Sequence, residues 1–176
     1  MKRNLVLLSL CILITSSFSV SLFSRQISKV GQLFNDLNSG VVTLFSSTQH
    51  GTGFLIGKEG DIGLVLTNSH VVNGIKSDLR ARFKHNEVVE AKFLTEDKVN
   101  DLAIVLINLQ NIPDYKILKP FTPPEKEKLV VVGEQVFAIG SPINWQTLEK
   151  TLSSGIVGKF SEGIIRHDVN LNPGNS

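Results

Sequence analysis

The sequence predicts an all-β protein preceded by one short helix. Two observations carry the β prediction. From Val41 onward the apolar residues fall in short or alternating runs. Clusters of turn-forming residues separate those runs at regular, close spacing, the pattern of a sandwich or barrel. A third observation marks the helix. Ile27, Val30, Leu33, Phe34 and Leu37 recur at the helical interval, and Asn38-Ser39-Gly40 ends the repeat.

The chain opens with Met1-Lys2-Arg3 and an apolar run from Leu5 to Ile14. That is the order of charge and hydrophobicity in an export signal. Ser16, Ser17, Ser19 and Ser21 supply small residues for cleavage, so residues 1–21 are expected to be a signal peptide, cut after Ser19 or Ser21. The alternative is an N-terminal anchor, since Asn4 to Phe23 has the length of a membrane span, about 20 residues. Cys11, the one cysteine, lies in this leader. The mature chain therefore carries neither a disulfide nor a cysteine-based metal site. Export without disulfides suits a bacterial envelope.

Residues 26–37 are expected to form an amphipathic helix packed on the domain. Strands are expected at Val41 to Phe45, Gly53 to Ile56, Ile62 to Leu66, Leu79 to Phe83, Val88 to Leu94 and Leu102 to Leu106. The turns between them fall at His50-Gly51, Gly57 to Gly60, Asn73-Gly74 and His85-Asn86. Six strands suffice to close one small barrel and remove its edges. Residues 26–110 thus form an N-terminal barrel with its leading helix. Residues 111–128 contain Pro113, Pro120, Pro123 and Pro124 and form a linker that crosses the surface, because proline cannot donate to a sheet ladder. Residues 129–176 begin a second barrel, with strands at Leu129 to Val132, Gln135 to Ile139, Thr147 to Phe160 and Ile164 to Asp168. The strands that would complete it are expected beyond Ser176. Without them Val136, Ile139, Ile156, Val157 and Ile164 are expected to lack cover, and the 176 residues alone to be inactive.

Composition excludes several functions. With 18 basic and 16 acidic residues the net charge is +2, and no Lys/Arg run exceeds two, so nucleic acid is not an expected partner. The four histidines, at 50, 70, 85 and 167, show no short ligand spacing, so neither a metal nor another cofactor is expected.

Three residues point instead to acyl-transfer chemistry. His70 stands in Leu66-Thr67-Asn68-Ser69-His70-Val71-Val72 at the end of an apolar run, Asp101 heads the run to Ile107, and Ser176 follows Asn172-Pro173-Gly174-Asn175. A hydroxyl becomes a competent nucleophile when a base takes its proton, and the base needs an acid to hold its tautomer. His, Asp, Ser is one of the chain orders in which that triad occurs. Each residue has an ordinary alternative: a structural histidine, a turn aspartate after Asn100, and a plain Pro-Gly turn. The triad requires His70 and Asp101 within hydrogen-bond reach across 31 positions of sequence.

In these stretches the sequence resembles the trypsin-like, chymotrypsin-fold serine endopeptidases, and in particular their HtrA/Deg branch. The motifs that carry the likeness run in order: Gly51-Thr52-Gly53-Phe54-Leu55-Ile56, Thr67-Asn68-Ser69-His70-Val71-Val72, Asp101-Leu102-Ala103-Ile104-Val105, Ala138-Ile139-Gly140-Ser141-Pro142, Ser154-Gly155-Ile156-Val157, and Asp168 through Ser176. Val71 stands where the disulfide-bonded digestive trypsins carry a cysteine. The resemblance implies a double β-barrel interrupted at the catalytic serine. It also implies an exported, periplasmic or secreted endopeptidase acting on unfolded or damaged polypeptides, possible homotrimers, and membrane contact only through an uncleaved N-terminal segment. His70 would be the base, Asp101 the orienting acid and Ser176 the nucleophile. The backbone N–H groups of Gly174 and Ser176 would form the oxyanion hole. Leu171 would contribute to the specificity pocket wall, with core packing as the alternative, and Asp168 would be structural. Gly51 and Gly53 are expected to let two backbones approach near the cleft. The competing function is a trypsin-fold module that binds peptide or a partner without cutting.

Overall fold

The computed structural model describes residues 28–84, 86–119, 130–141, 150–161 and 164–171. Among them are nine strands and two helices. The predicted all-β class holds, with one closed six-stranded barrel, a second sheet of three strands, and a helix at the front.

The first helix, α1, spans Lys29–Asn38. Ser28 caps it, its Oγ accepting the Gly31 N–H at 3.1 Å, which satisfies one of the four amides a helix start leaves open. The Gly40 N–H bonds the Leu37 carbonyl at 2.9 Å as the chain leaves the helix. A Cβ on Gly40 would lie 2.5 Å from the Lys116 carbonyl oxygen, so glycine lets the segment after the barrel pass close by.

The barrel consists of β1 (Val41–Phe45), β2 (His50–Glu59), β3 (Ile62–Thr67), β4 (Arg80–Arg82), β5 (Val88–Asp97) and β6 (Leu102–Asn108). Its order is β1-β2-β3-β6-β5-β4, and β1 closes on β4 through Thr43↔Arg82, Leu44↔Ala81 and Phe45↔Arg80. Alternation along each strand turns one face inward. The partners Leu55↔Val65, Val65↔Val105 and Phe93↔Val105 make one interior layer. Leu55, Val65 and Val105 are fully buried. Burying each such side chain contributes about 1.5–3 kcal/mol, which is why this layer rather than local turn preference sets the register.

Two turn assignments need correction. His50-Gly51 lies inside β2, paired as Phe45↔His50 and Leu44↔Gly51. The turn falls earlier, where the Ser46 hydroxyl accepts the N–H groups of Thr48 at 3.1 Å and Gln49 at 3.2 Å. Serine supplies the same local acceptor as the residues that usually mark turns. Gly57 to Glu59 also continues β2, past a register shift between Leu55 and Gly57, and the reversal waits for Gly60 at φ +56°. Gly53 makes room for the Val65 side chain, whose Cγ1 would lie 2.6 Å from an added Cβ, rather than chiefly for a second backbone.

The segment after β6 packs on the barrel. Ile112 is buried, Tyr115 and Ile117 lie against the core, and the Leu118 N–H bonds the Leu55 carbonyl at 2.7 Å. Residues 120–129, most of the proline-rich part of the linker, lie outside the described residues.

The second sheet has the order β7 (Gln135–Gly140), β8 (Thr151–Ser161), β9 (Ile164–His167). Val131 and Val132, expected in a strand, sit in a turn. There the Val131 N–H donates to Glu134 Oε2 at 3.1 Å and Gly133 takes φ +92°, a conformation that suits glycine. That turn docks on β8: the Gly133 N–H bonds the Val157 carbonyl at 2.8 Å, and the Val157 N–H bonds the Glu134 carbonyl at 2.9 Å. Val157 is accordingly fully buried, against the expectation that it would lie bare, while Ile156 and Ile164 are exposed. The sheet meets the barrel at buried hydroxyls. Thr43 Oγ1 and Ser141 Oγ are 2.5 Å apart, and the Ser141 N–H donates to Thr52 Oγ1 at 3.0 Å.

Candidate active site

His70 is presented by a single helical turn, α2, spanning Ser69–Val72. A helix this short does not hold itself together, because its first hydrogen bond must fix several residues at once. Packing holds it instead. Val71 and Val72 are buried in the barrel core, with Ile75 behind them. That anchoring leaves His70 on the outer side, with its side chain 56% exposed.

The start of α2 is capped from another element. Asn68 occupies the cap position, but its side chain makes no capping bond. Its amide donates to the Asp101 carbonyl at 3.0 Å and to Asp101 Oδ2 at 3.2 Å. The open N–H of His70 is met by Asp101 Oδ1 at 2.9 Å, so an aspartate 31 positions away does the work of an N-cap. Asp101 Oδ2 then lies 2.7 Å from His70 Nδ1. One carboxylate thus fixes both the backbone and the ring of His70.

Asp101 reaches this position through its own backbone. It ends the turn between β5 and β6 at φ +54°, a region that aspartate and asparagine enter more readily than other non-glycine residues. The turn is stiffened from within. Asp97 Oδ1 accepts the N–H groups of Val99 at 2.9 Å and Asn100 at 3.1 Å, and Asp97 Oδ2 accepts the Asn100 amide at 2.6 Å.

These bonds set the carboxylate charges. The His70 backbone N–H, then the His70 ring, hold Asp101 below the ordinary range for an aspartate, with the Asn68 amide adding to them. The Asn100 side chain, then its backbone N–H, lower Asp97 in the same way. An ionised Asp101 bonded to Nδ1 keeps the proton on that nitrogen and leaves Nε2 free to accept another.

The sequence-derived residues therefore divide. His70 and Asp101 are brought together. Leu171 is 53% exposed. Ser176 and Gly174 lie outside the described residues. Asp168 accepts the Ile156 N–H at 2.6 Å through Oδ1 and ties the segment after β9 to β8. Sequence reading missed Asn68, although it sits inside the motif that carries His70. It also missed Gln49, whose side-chain amide donates to the His70 carbonyl at 2.8 Å. Nothing local to Gln49 marks it, because its contact arises only when β1 and β2 fold beside α2.

Residues 51–176 match the family model described as trypsin-like peptidase domain. A probable periplasmic serine endoprotease DegP-like from Hahella chejuensis is 32% identical over 134 residues, covering 72% of this chain and 26% of that protein. Protease Do-like 1, chloroplastic, from Arabidopsis thaliana is 33% identical over 138 residues, covering 72% of this chain and 29% of its own length. The serine protease Do-like HtrA of Bacillus subtilis is 29% identical over 187 residues, covering 87% of this chain and 40% of that protein. The chain thus spans well under half the length of these curated relatives. Among solved structures, a serine endoprotease from Yersinia pestis is similar with a TM-score of 0.66 and 25% identity, over 85% of this chain and 52% of that one.

Proposed function

Since the chain belongs to the trypsin-like peptidase family, with HtrA/DegP-like serine proteases among its relatives, we propose that it is a serine endopeptidase using His70, Asp101 and Ser176. The observation that carries the proposal is the paired contact of Asp101 with the His70 N–H and Nδ1. His70 Nε2 takes the Ser176 proton as the oxygen attacks the scissile carbonyl, and later returns it to the leaving amine. Asp101 orients the ring and stabilises the imidazolium without taking the proton. The N–H groups of Gly174 and Ser176 receive the oxyanion, each such donor being worth about 3 kcal/mol of transition-state stabilisation. Leu171 borders the pocket for the side chain before the cut and selects a small or medium apolar residue.

The substrates of this reading are unfolded polypeptides of the cell envelope, and the protein is exported to the periplasm. The periplasmic names of several relatives support that location. Among the described residues no helix is long and apolar enough to cross a membrane. Assembly as a homotrimer and a boundary at residues 111–128 between two barrels belong to the same proposal.

The test is hydrolysis of casein by protein expressed from the complete reading frame. Cleavage that disappears in both Ser176→Ala and His70→Ala is expected. Casein that is bound but left intact by the unaltered protein would overturn the endopeptidase reading in favour of a non-cleaving module.

A further inference from the structure

We infer that Glu96 is a positioning residue of this site: by accepting the Ser69 hydroxyl, it holds the turn carrying His70 at a second point, beside the one that Asp101 holds. The inference rests on the reading of His70 as the base. Ser69 Oγ donates to Glu96 Oε2 at 2.8 Å. The other oxygen is held in turn, with Lys76 Nζ donating to Glu96 Oε1 at 2.7 Å. Lys76 itself is fixed over the Phe93 ring, 3.9 Å from its centroid. The Glu96 carboxylate is 14% exposed and Ser69 is buried, so neither end of the bond is left loose in solvent.

The geometry explains why a second tether matters. Packing of Val71 and Val72 sets how deep α2 sits. A four-residue turn whose N-cap side chain makes no capping bond takes its orientation from outside contacts, with Gln49 on the His70 carbonyl on one side and the β5–β6 hairpin on the other. Glu96 and Asp101 both belong to the β5–β6 hairpin, Glu96 paired with Ala103 in register and Asp101 in the turn just beyond. Bonds from one hairpin to the adjacent residues Ser69 and His70, beside the Gln49 bond to the His70 carbonyl, fix the direction of the imidazole. The Lys76 and Ser69 hydrogen bonds lower the Glu96 pKa, so it remains an ionised acceptor at neutral pH.

The experiment is Glu96→Gln in the complete protein, beside Ser69→Ala and the double variant. A glutamine presents one acceptor and one donor end, so it cannot accept from Ser69 and Lys76 through separate oxygens. A fall in kcat of about ten- to hundredfold with KM unchanged is expected, the size of effect that a small misplacement of a catalytic group produces. The double variant should be no worse than the poorer single one, because both remove the same tether. Without substrate, the His70 Nδ1–H resonance should broaden or shift in both single variants. It should stay in place in Lys92→Gln, an exposed cation on the same strand that has no contact with Glu96. An unchanged resonance in Glu96→Gln, or a kcat loss that vanishes once corrected for the folded fraction, would overturn the inference. Full activity in His70→Ala would instead remove the base reading, and the resonance in the Glu96 and Ser69 variants would still decide whether Glu96 positions the ring.

Discussion

Asp101 grips His70 twice, with Oδ1 on the backbone N–H at 2.9 Å and Oδ2 on ring Nδ1 at 2.7 Å. The first bond holds the turn and the second holds the ring. Substitutions at Asp101 therefore act on orientation and on charge together.

Asp101→Asn separates those roles. Asparagine also tolerates the left-handed backbone at φ +54°, so the turn survives. Its amide, however, favours the tautomer with the proton on Nε2, where the base function needs a free lone pair. Peptide cleavage should fall about 10⁴-fold, the effect of the corresponding change in the template triad. The measurement is kcat on a peptide substrate, with circular dichroism to confirm an intact barrel. Activity near the unaltered level would exclude Asp101 from the mechanism.

Acid should destabilise the fold through three neighbouring carboxylates. Glu96, Asp97 and Asp101 all have folded-state pKa values below their ordinary ones. The unfolded chain therefore binds more protons on acidification, and stability rises with pH across that interval. Their contribution is fully present above the ordinary carboxylate range and is lost as pH falls through the lowered values. Urea midpoints measured from pH 6 to pH 2 should decline, and Asp97→Asn should flatten the decline. An unchanged slope in that variant would show that Asp97 does not contribute to it.

The junction between barrel and second sheet rests on the Thr43–Ser141 hydroxyl pair. Thr43→Val preserves shape but strands a buried hydroxyl on Ser141, at a cost of about 1–3 kcal/mol. Removing both partners, as in Thr43→Val with Ser141→Ala, should cost less than the sum of the single changes. A strictly additive double variant, read by denaturant unfolding, would mean that the two hydroxyls do not interact.

Gly155 is required by what lies against it. A Cβ there would overlap Asp168 Oδ1 and lie 2.6 Å from the Val169 backbone nitrogen. Backbone cannot yield as a flexible side chain would, so Gly155→Ala should push residues 168–169 off β8 at a cost of about 1–3 kcal/mol. Because that segment leads toward Ser176, kcat should fall as well. Hydrogen exchange at Ile156, whose N–H bonds Asp168, reports the displacement directly, and unchanged protection would contradict it.

Much of this architecture was already legible in the chain. The alternation from Val41 to Leu106 determined an all-β fold, because a face that repeats every second residue can be buried only by a strand. Asp101 at the head of an apolar run and His70 in the Asn-Ser-His-Val-Val stretch gave the candidate site for a similar reason. Polar residues attached to buried elements are held in place rather than left to solvent. The tertiary structure alone decided the rest. It carried β2 through His50-Gly51 and Gly57 to Glu59, because pairing with β1 and β3 outweighed local turn preference. It turned Val131 and Val132 out of a strand, because Gly133 and the Glu134 carboxylate close a loop on β8. Ser69 met Glu96, and Gln49 met His70, only once distant strands had come together. Hydrophobic periodicity is a local property of the chain and can be read along it, whereas a hydrogen bond between side chains far apart in sequence depends on the closed barrel that brings them within reach.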